Sequence, residues 1–355
     1  MRGPLVETAL PEEVGDINDI APVNLEDRSV WLLLGSDRTI HRLDADSNNW
    51  TRLASPAPID EPGREPWKGH ARRPHLHASG TGEFAAVVSD YGRYGQVIDL
   101  RSGEVTLRLD GGEGHPETVP FSFAFAEVGG RTHAIHRTEW NRLDVSDPAT
   151  GALLTQRASP RFQGEEGPPE HYLDYFHGGI FVSPDGKHVA DDGWVWHPVG
   201  VPTVWSLSRW VIENVWESED GPSKRDVCAR EYYWDHGMAW LDSVRLVVGG
   251  IGDDDDQMID GARIFDVTKR GSPRDQWRTR LGWTHEISSF KGPRGRFFGD
   301  GVRLFSSDET GLSIWDVEEG LLIGTMERFQ PTHQHLGARE LVQLVKRTLV
   351  RWKTD

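Results

Sequence analysis

The chain has 355 residues, a formal net charge of −17 and a pI of about 5.3. This negative charge repels phosphate backbones and anionic lipids, which argues against a nucleic-acid partner and against a membrane partner. The single cysteine, Cys228, excludes an intrachain disulfide and a cysteine-based zinc site, and the acidic N-terminus lacks the apolar segment of a signal peptide. Together these features predict a cytoplasmic protein.

A short apolar phrase recurs seven times along the chain, and five copies carry an aspartate at or next to the end. One such unit cannot bury its apolar face alone, so the copies must stack on one another. A strand–turn–strand segment precedes most copies, and a further turn and strand follow several of them. Each unit therefore reads as four antiparallel strands, a to d, with the phrase on strand c. The copies are IHRLD (40–44), QVIDL (96–100), NRLDV (141–145), TVWSL (203–207), RIFDV (263–267), SIWDV (313–317) and LVRWK (349–353).

Tight turns mark the predicted a–b connection of six units. SPDGK (183–187) is the clearest, because proline presets one turn torsion and glycine accepts a positive φ. The others are SGTGE (79–83), EVGGR (127–131), LDSVR (241–245), KGPRG (291–295) and LGARE (336–340).

Three segments match a known strand-pair pattern, namely GSDRTIHRLD (35–44), VSPDGKHVAD (182–191) and SSDETGLSIWD (306–316) with its Trp315–Asp316 dipeptide. In these segments the chain resembles the WD40-like (YVTN/WD40-type) β-propellers. The resemblance and the repeat together imply an all-β, seven-bladed propeller with four-stranded antiparallel blades, with six or eight blades as alternatives. The resemblance transfers no specific activity.

The two ends of the chain are predicted to meet in one blade. The last unit, 336–353, supplies ELVQLV and TLVRWK but lacks a fourth strand, and GPLVETAL (3–10) is its natural donor, which would close the ring and cover its exposed edges. We therefore predict an N-terminal arm, 1–28, part of which completes the last blade, and one propeller domain, 29–355. Near-helical apolar spacing predicts a short helical insertion near 208–221.

One face of the disc should carry the function, because the b–c and d–a loops of an antiparallel blade lie at the same end. The longest b–c loops are 191–202 and 250–261, and the most polar d–a junctions are 171–179, 230–237, 282–286 and 331–335. The richest belong to units four and five. The candidate binding residues on this face are Asp174, His177, Asp191, Asp192, Trp194, Trp196, His197, Trp234, Asp235, His236 and His285.

The leading hypothesis is a non-catalytic interaction module that binds a protein or peptide on this face, with Trp194, Trp196 and His197 as an aromatic floor. Packing between blades is the alternative role for each tryptophan. A further hypothesis is that the protein is a purely structural subunit of a larger assembly. No nucleophile, phosphate-loop or dinucleotide motif is present, and we predict no cofactor.

The competing hypothesis is an enzyme, or a propeller that binds a small molecule or a metal, with an Asp/His cluster at the channel mouth. Its polar groups would be Asp174, His177, Asp191, Asp235 and His236. The acidic run with Asp253, Asp255 and Asp260 offers carboxylates for calcium but lacks the spacing of a calcium loop, so a solvated hairpin tip is the main expectation.

Overall fold

Seven antiparallel β-sheets follow one another along the chain in this computed structural model, which describes residues 3–25, 27–63, 69–160, 162, 167–196, 199–230, 236–252, 258–272 and 281–355. Each sheet is one blade, and apolar side chains pack between neighbouring blades. The predicted all-β, seven-bladed propeller is confirmed.

The first three blades span the N-terminal part of the chain, after strand β1 (Val6–Ala9). Blade one contains β2 (Ile17–Val23), β3 (Val30–Gly35), β4 (Ile40–Asp44) and β5 (Asn49–Ala54). Blade two contains β6 (Arg73–Ala78), β7 (Phe84–Asp90), β8 (Tyr94–Asp99) and β9 (Val105–Asp110). Blade three contains β10 (Phe123–Val128), β11 (Arg131–Glu139) and β12 (Arg142–Ser146).

The last four blades include the helical insertion. Blade four contains β13 (Phe176–Val182), β14 (His188–Val195), β15 (Val199–Gly200), β16 (Thr203–Ser206), α1 (Leu207–Ile212), α2 (Glu217–Asp220) and β17 (Arg225–Asp226). Blade five contains β18 (Met238–Trp240), β19 (Arg245–Ile251), β20 (Ile259–Arg270) and β21 (Thr284–Lys291). Blade six contains β22 (Arg296–Gly299), β23 (Arg303–Asp308), β24 (Gly311–Asp316) and β25 (Leu321–Glu327), and blade seven contains β26 (His333–His335), β27 (Glu340–Val345) and β28 (Thr348–Lys353).

Each copy of the repeated phrase lies on the third strand of its blade, as the sequence predicts. These strands are β4, β8, β12, β16, β20, β24 and β28. Their β-branched and apolar side chains suit a strand that is covered on both faces by the next blades. The SPDGK turn also follows the prediction, since it joins β13 to β14 and Gly186 has a φ of 69°.

The ring closes through the two ends of the chain. β1 pairs antiparallel with β28, from Val6 opposite Arg351 to Ala9 opposite Thr348, and thus completes blade seven. Blade one begins at Ile17, upstream of the predicted domain boundary at residue 29. The predicted boundary lies after β2 because polar residues and a proline interrupt the apolar pattern of that strand. β3 is continuously apolar and is therefore easier to recognise as a strand.

The KGPRG turn is an exception to the predicted repeat. It joins β21 to β22, so it is a d–a connection between blades five and six, and residues 300–302 form the a–b connection of blade six. A sequence pattern cannot separate the two connections because both require the same turn residues. The consequence is that His285 lies exposed on β21, the outermost strand of blade five, rather than on the predicted binding face.

Blade three is the least complete blade of the described chain. Its outer edge has a single bridge, Ser146 opposite Leu153, in place of a fourth strand. Blade four carries the two short helices between β16 and β17, within the region where the sequence loses its β pattern. None of the helices in the described residues is long and apolar enough to cross a membrane.

The core consists of apolar layers between adjacent blades. Trp205 and Trp210 of blade four pack in one cluster with Ile135 and Leu143 of blade three. Each large indole buries far more apolar surface than an aliphatic side chain, so these two tryptophans fill much of the gap between blades three and four. Much of the tryptophan in this chain therefore serves the scaffold.

Asp19 on β2 links three blades at the inner edge of the ring. Its Oδ1 lies 3.2 Å from His333 Nε2 on β26, and its Oδ2 accepts a hydrogen bond from the Leu76 backbone N–H on β6 at 2.7 Å. Burial alone would raise the pKa of this carboxyl, but the His333 hydrogen bond and the charge of His75 lower the pKa of Asp19 well below its usual range. The ionised form is therefore favoured in the folded protein.

We expect the ionisation of Asp19 to make the free energy of unfolding depend on pH. A carboxyl whose pKa is lower in the folded state stabilises the protein above its unfolded pKa, near 3.8, and this contribution is lost as the pH falls. Between about pH 6 and pH 2, the free energy of unfolding of the wild type should fall by about 2 kcal/mol more than that of the Asp19→Asn variant. Urea unfolding at the two pH values measures this difference. Asp174→Asn, at an exposed carboxylate, is the control, and equal acid slopes for wild type and Asp19→Asn would contradict the assignment.

Candidate functional site

Two of the predicted polar residues, His177 and Asp191, pair with each other inside blade four. His177 Nδ1 lies 2.5 Å from Asp191 Oδ2, and both side chains are buried. The Gly178 backbone N–H donates to Asp191 Oδ1 at 3.0 Å. These contacts join β13 to β14, so the pair holds the inner hairpin of the blade together.

Asp192 makes a second buried ion pair, with Arg230. Arg230 also bridges Gly200 through the backbone, with hydrogen bonds of 2.9 and 3.0 Å in the two directions. The segment that follows β17 is thereby fixed to the rest of blade four. Asp192 therefore acts as a structural anchor.

The remaining predicted acids and histidines that the structure describes do not come together in one cluster. Asp174 is exposed beside blade four, whereas His236 borders a separate small cavity of blade five together with Asp260. Asp260 has a mostly exposed side chain whose Oδ2 lies 4.0 Å from Arg294 Nη1. Within the described ranges, no three His, Cys, Asp or Glu side chains are grouped so as to hold a metal. Outside the described residues lie His197, Trp234, Asp235, Asp253 and Asp255.

Trp194 and Trp196 differ sharply in exposure although they are two residues apart. Trp194 is 1% exposed and stacks on Phe176 at a centroid distance of 3.9 Å, whereas Trp196 is 58% exposed. The difference arises because β14 ends at Val195, so Trp194 is covered within the sheet and Trp196 stands beyond it. The predicted aromatic floor thus consists of one buried and one exposed indole.

Further aromatic rings extend this floor. Trp196 stacks on His115 at 5.9 Å, and Trp140 lies 4.5 Å from Phe176. We call the five rings the aromatic patch, and they are His115, Trp140, Phe176, Trp194 and Trp196.

The aromatic patch lies on the face that carries the b–c and d–a loops. Trp140 occupies the b–c turn of blade three, Trp196 the b–c loop of blade four, and His115 the d–a segment between blades two and three. Phe176 begins β13 directly after a d–a segment. The patch is therefore built from three successive blades, although sequence reasoning named only its two tryptophans of blade four.

A cavity of about 720 Å³ lies beside blade four. One wall is the segment 167–175, which leads from the incomplete outer edge of blade three to β13. Lys224 and Trp283 line it from blades four and five, and Asp174 contributes to its exposed rim. Of these residues, sequence reasoning named only Asp174, because no local pattern distinguishes Lys224 from an ordinary surface lysine.

Tyr175 separates the cavity from the interior of blade four. Its hydroxyl donates to the Val201 carbonyl at 2.9 Å and accepts from the Gly193 backbone N–H at 3.0 Å. Burial raises the pKa of the Tyr175 hydroxyl well above its usual value, so the ring stays neutral. The tyrosine is thus a fixed part of the cavity wall.

Comparison with known proteins supports the fold and assigns no activity. No protein-family model and no curated protein sequence matches the chain. The structure is similar to a chain of the mitotic checkpoint complex, with 13% identity, a TM-score of 0.55 and coverage of 100% of this chain and 92% of that one. It is also similar to the Cps50 (Swd1) β-propeller domain of Myceliophteria thermophila, with 12% identity, a TM-score of 0.56 and coverage of 99% and 100%. The resemblance to WD40-like β-propellers is therefore confirmed at the level of the fold.

Proposed function

We propose that this protein is a non-catalytic interaction propeller that binds a polypeptide partner at the aromatic patch. The observation that carries the proposal is the exposure of Trp196, 58%, beside the buried ring of Trp194 in the sheet of blade four. Exposed tryptophans on a fixed support are the side chains that most often dominate binding energy in protein interfaces. The partner would cover Trp196 and the neighbouring His115.

The scaffold around the patch favours binding without rearrangement. Phe176 and Trp194 stack almost in parallel, with planes 10° apart, and Trp194 is paired within the sheet at both neighbouring strands. A preformed surface loses little conformational entropy when it binds. Loops on such a support are where recognition residues concentrate.

The charge of the chain indicates the chemistry of the partner. A net charge of −17 attracts a basic polypeptide surface and accelerates its approach at low salt. We therefore propose a basic protein or peptide, and the same charge speaks against nucleic acid and membrane surfaces. We propose a cytoplasmic location, because the single cysteine leaves no disulfide to form within the chain.

Replacing Trp196 with alanine should weaken partner binding by about 30-fold or more, the effect of losing a hot-spot residue worth about 2 kcal/mol. Stability should change little, because most of the indole is already in water. Partners are first captured on the wild-type protein from cells that make it and identified by mass spectrometry. The purified partner is then titrated against wild type and variant by calorimetry.

Ile212→Ala is the matched control for this experiment. Ile212 is 71% exposed on α1, which follows strand c and therefore lies at the opposite end of the blade from the patch. The control should bind the partner like wild type. Equal binding by Trp196→Ala and Ile212→Ala would refute the aromatic patch as the docking site.

A further inference from the structure

The cavity beside blade four has the size and the lining of a ligand site. Its volume, about 720 Å³, falls within the range of about 300–1,000 Å³ that is usual for small-molecule pockets. Apolar side chains form much of its wall, including Leu173, Val195 and Val201, and the rings of Tyr172 and Tyr175 add aromatic surface. Such a lining suits a ligand with an apolar or aromatic body.

Lys224 is a buried lysine that lines this cavity. The residue is 2% exposed, and its Nζ donates to the Ser218 carbonyl at 2.6 Å. The same Nζ lies 5.1 Å from the centre of the Tyr175 ring and 5.7 Å from that of Trp205. An ammonium group has three N–H donors, so the hydrogen bond to Ser218 leaves two of them for another acceptor.

No carboxylate of a described residue forms an ion pair with Lys224. Glu219 is engaged elsewhere, because Arg157 binds it through Nε at 3.1 Å and through a second guanidinium nitrogen. Asp220 is engaged by His171, whose Nδ1 lies 2.8 Å from its Oδ1. The nearest acids on α2 therefore serve other cations, although their charge still favours protonated Lys224.

A buried ammonium with unused donors is costly unless a counter-charge binds it. Burial lowers the pKa of Lys224, while the charge of Asp191 and of the other nearby acids opposes this shift. Asp174 on the rim is exposed and therefore screened by solvent. Asp226, which is 9% exposed and also lines the cavity, is one of the acids whose charge acts on Lys224. The two unused N–H donors of Lys224 therefore favour a hydrogen-bond acceptor inside the cavity, and a carboxylate accepts the strongest hydrogen bonds from an ammonium group.

We propose that this cavity binds an organic carboxylate with an apolar body, and that the carboxylate accepts hydrogen bonds from the ammonium group of Lys224. Two sources share this chemistry, a free organic acid and the C-terminal residue of a polypeptide. The site is separate from the aromatic patch, and the proposal does not depend on the partner proposed there.

Matched probe compounds test the chemistry of the site. N-acetyl-L-phenylalanine represents a C-terminal residue, 3-phenylpropanoate represents a free acid, and N-acetyl-L-phenylalaninamide has the same body without the negative charge. Each is titrated into the full-length protein and followed by calorimetry and by NMR of the tyrosine and lysine side chains. We expect saturable binding of at least one acid and at least tenfold weaker binding of the amide.

The relative affinity of the two acids separates the two sources. Tighter binding of the acetylated amino acid favours a polypeptide C-terminus, and tighter binding of 3-phenylpropanoate favours a free acid. Binding of acid and amide with equal affinity would overturn the proposal. So would the failure of both acids to saturate the site up to their solubility.

Variants of Lys224 tie the binding to this residue. Lys224→Met should lose the preference for the acid over the amide. Lys224→Gln keeps a donor for the Ser218 carbonyl, and it replaces Lys224→Met in the experiment if the methionine variant does not fold. Lys187→Met, at a lysine whose side chain is 72% exposed in the SPDGK turn, is the control and should bind like wild type. Unchanged acid binding by Lys224→Gln would also overturn the proposal.

The variant Trp196→Ala makes the two proposals separable. It should leave the binding of the acid probes intact while it weakens the polypeptide partner. Loss of acid binding only in the Lys224 variants, with partner binding retained, places the two activities at different sites. Loss of acid binding in Trp196→Ala would contradict the assignment of the carboxylate to the cavity.

Discussion

Replacing Glu340 with alanine should lower the free energy of unfolding by about 3 kcal/mol, the lower end of the range for breaking a buried ion pair. Glu340 is buried on β27 and accepts hydrogen bonds from the Ser29 hydroxyl and, at 3.3 Å, from Trp31 Nε1. Its other oxygen lies 3.5 Å from Arg351 Nη1. The carboxylate therefore joins blade seven to blade one beside the closing strand.

The cost comes from the groups that the variant leaves behind. Arg351 would keep Asp46, at 2.8 Å, as its remaining carboxylate partner, which is why we expect the lower end of the range. Glu340→Gln retains an acceptor for Trp31 and should lose less stability than Glu340→Ala. Urea unfolding at neutral pH measures all of these differences.

Glu318→Ala is the control for this prediction. Glu318 lies 3.2 Å from Arg245 in an ion pair, but its side chain is 79% exposed, so its removal should cost at most about 1 kcal/mol. If Glu340→Ala and Glu318→Ala lose the same stability, the buried pair does not hold the ring closed.

Asp144→Ala should cost about 3–5 kcal/mol, because Asp144 is the buried centre of the incomplete third blade. Its carboxylate accepts from the Thr138 hydroxyl at 2.6 Å, from Arg142 Nε at 2.8 Å, from the Thr155 hydroxyl at 3.0 Å and from Arg157 Nη1 at 2.6 Å. The variant would leave Arg157, itself buried, with only Glu219 as a carboxylate partner.

Asp144 also supports the cavity beside blade four, so Asp144→Ala should affect ligand binding as well as stability. Arg157 holds Glu219 on α2, and Thr155 fixes the chain where a fourth strand would otherwise cover blade three. We expect Asp144→Ala to unfold at lower urea concentration and to weaken binding of the acid probes at a temperature where it is still folded. Circular dichroism and calorimetry on the same samples measure the two effects.

Asp316→Ala provides the comparison within the repeat. Asp316 holds the corresponding place in the phrase of blade six, but its Oδ1 accepts only from the backbone N–H groups of Glu318 and Glu319, at 2.9 and 3.0 Å. Its loss should cost about 1 kcal/mol. If Asp144→Ala and Asp316→Ala lose a similar free energy of unfolding, the hydrogen-bond network around Asp144 stabilises the protein no more than the turn contacts of Asp316 do.

The fold could be predicted because the decisive signal is local and repeated. Each phrase carries its own alternation of buried residues, and seven copies make the architecture almost independent of any one of them. The position of KGPRG could not be predicted, because a d–a and an a–b connection have the same turn chemistry. Its assignment depends on β21, Thr284–Lys291, which pairs with β20 as the fourth strand of blade five.

The candidate site was only partly predictable for a different reason. His177 and Asp191 carry the chemistry of a site, but the β13–β14 hairpin brings them together and they bind each other in the interior of the blade. The role proposed for Lys224 depends on its contacts with Ser218 on α2 and with Tyr175, which directly precedes β13. Such convergence is a property of the assembled blade and leaves no trace in local spacing.

The pairing of β1 with β28 also has a consequence for synthesis. Val6 pairs with Arg351, so the blade that closes the ring cannot form until β28 has left the ribosome. Until then the nascent protein holds β1 as an unpaired strand beside an open circle of blades. Contacts of such long sequence separation form slowly, and unpaired strand edges invite association with other chains. A chaperone that shields β1 during translation would therefore act at the step where this fold is most exposed.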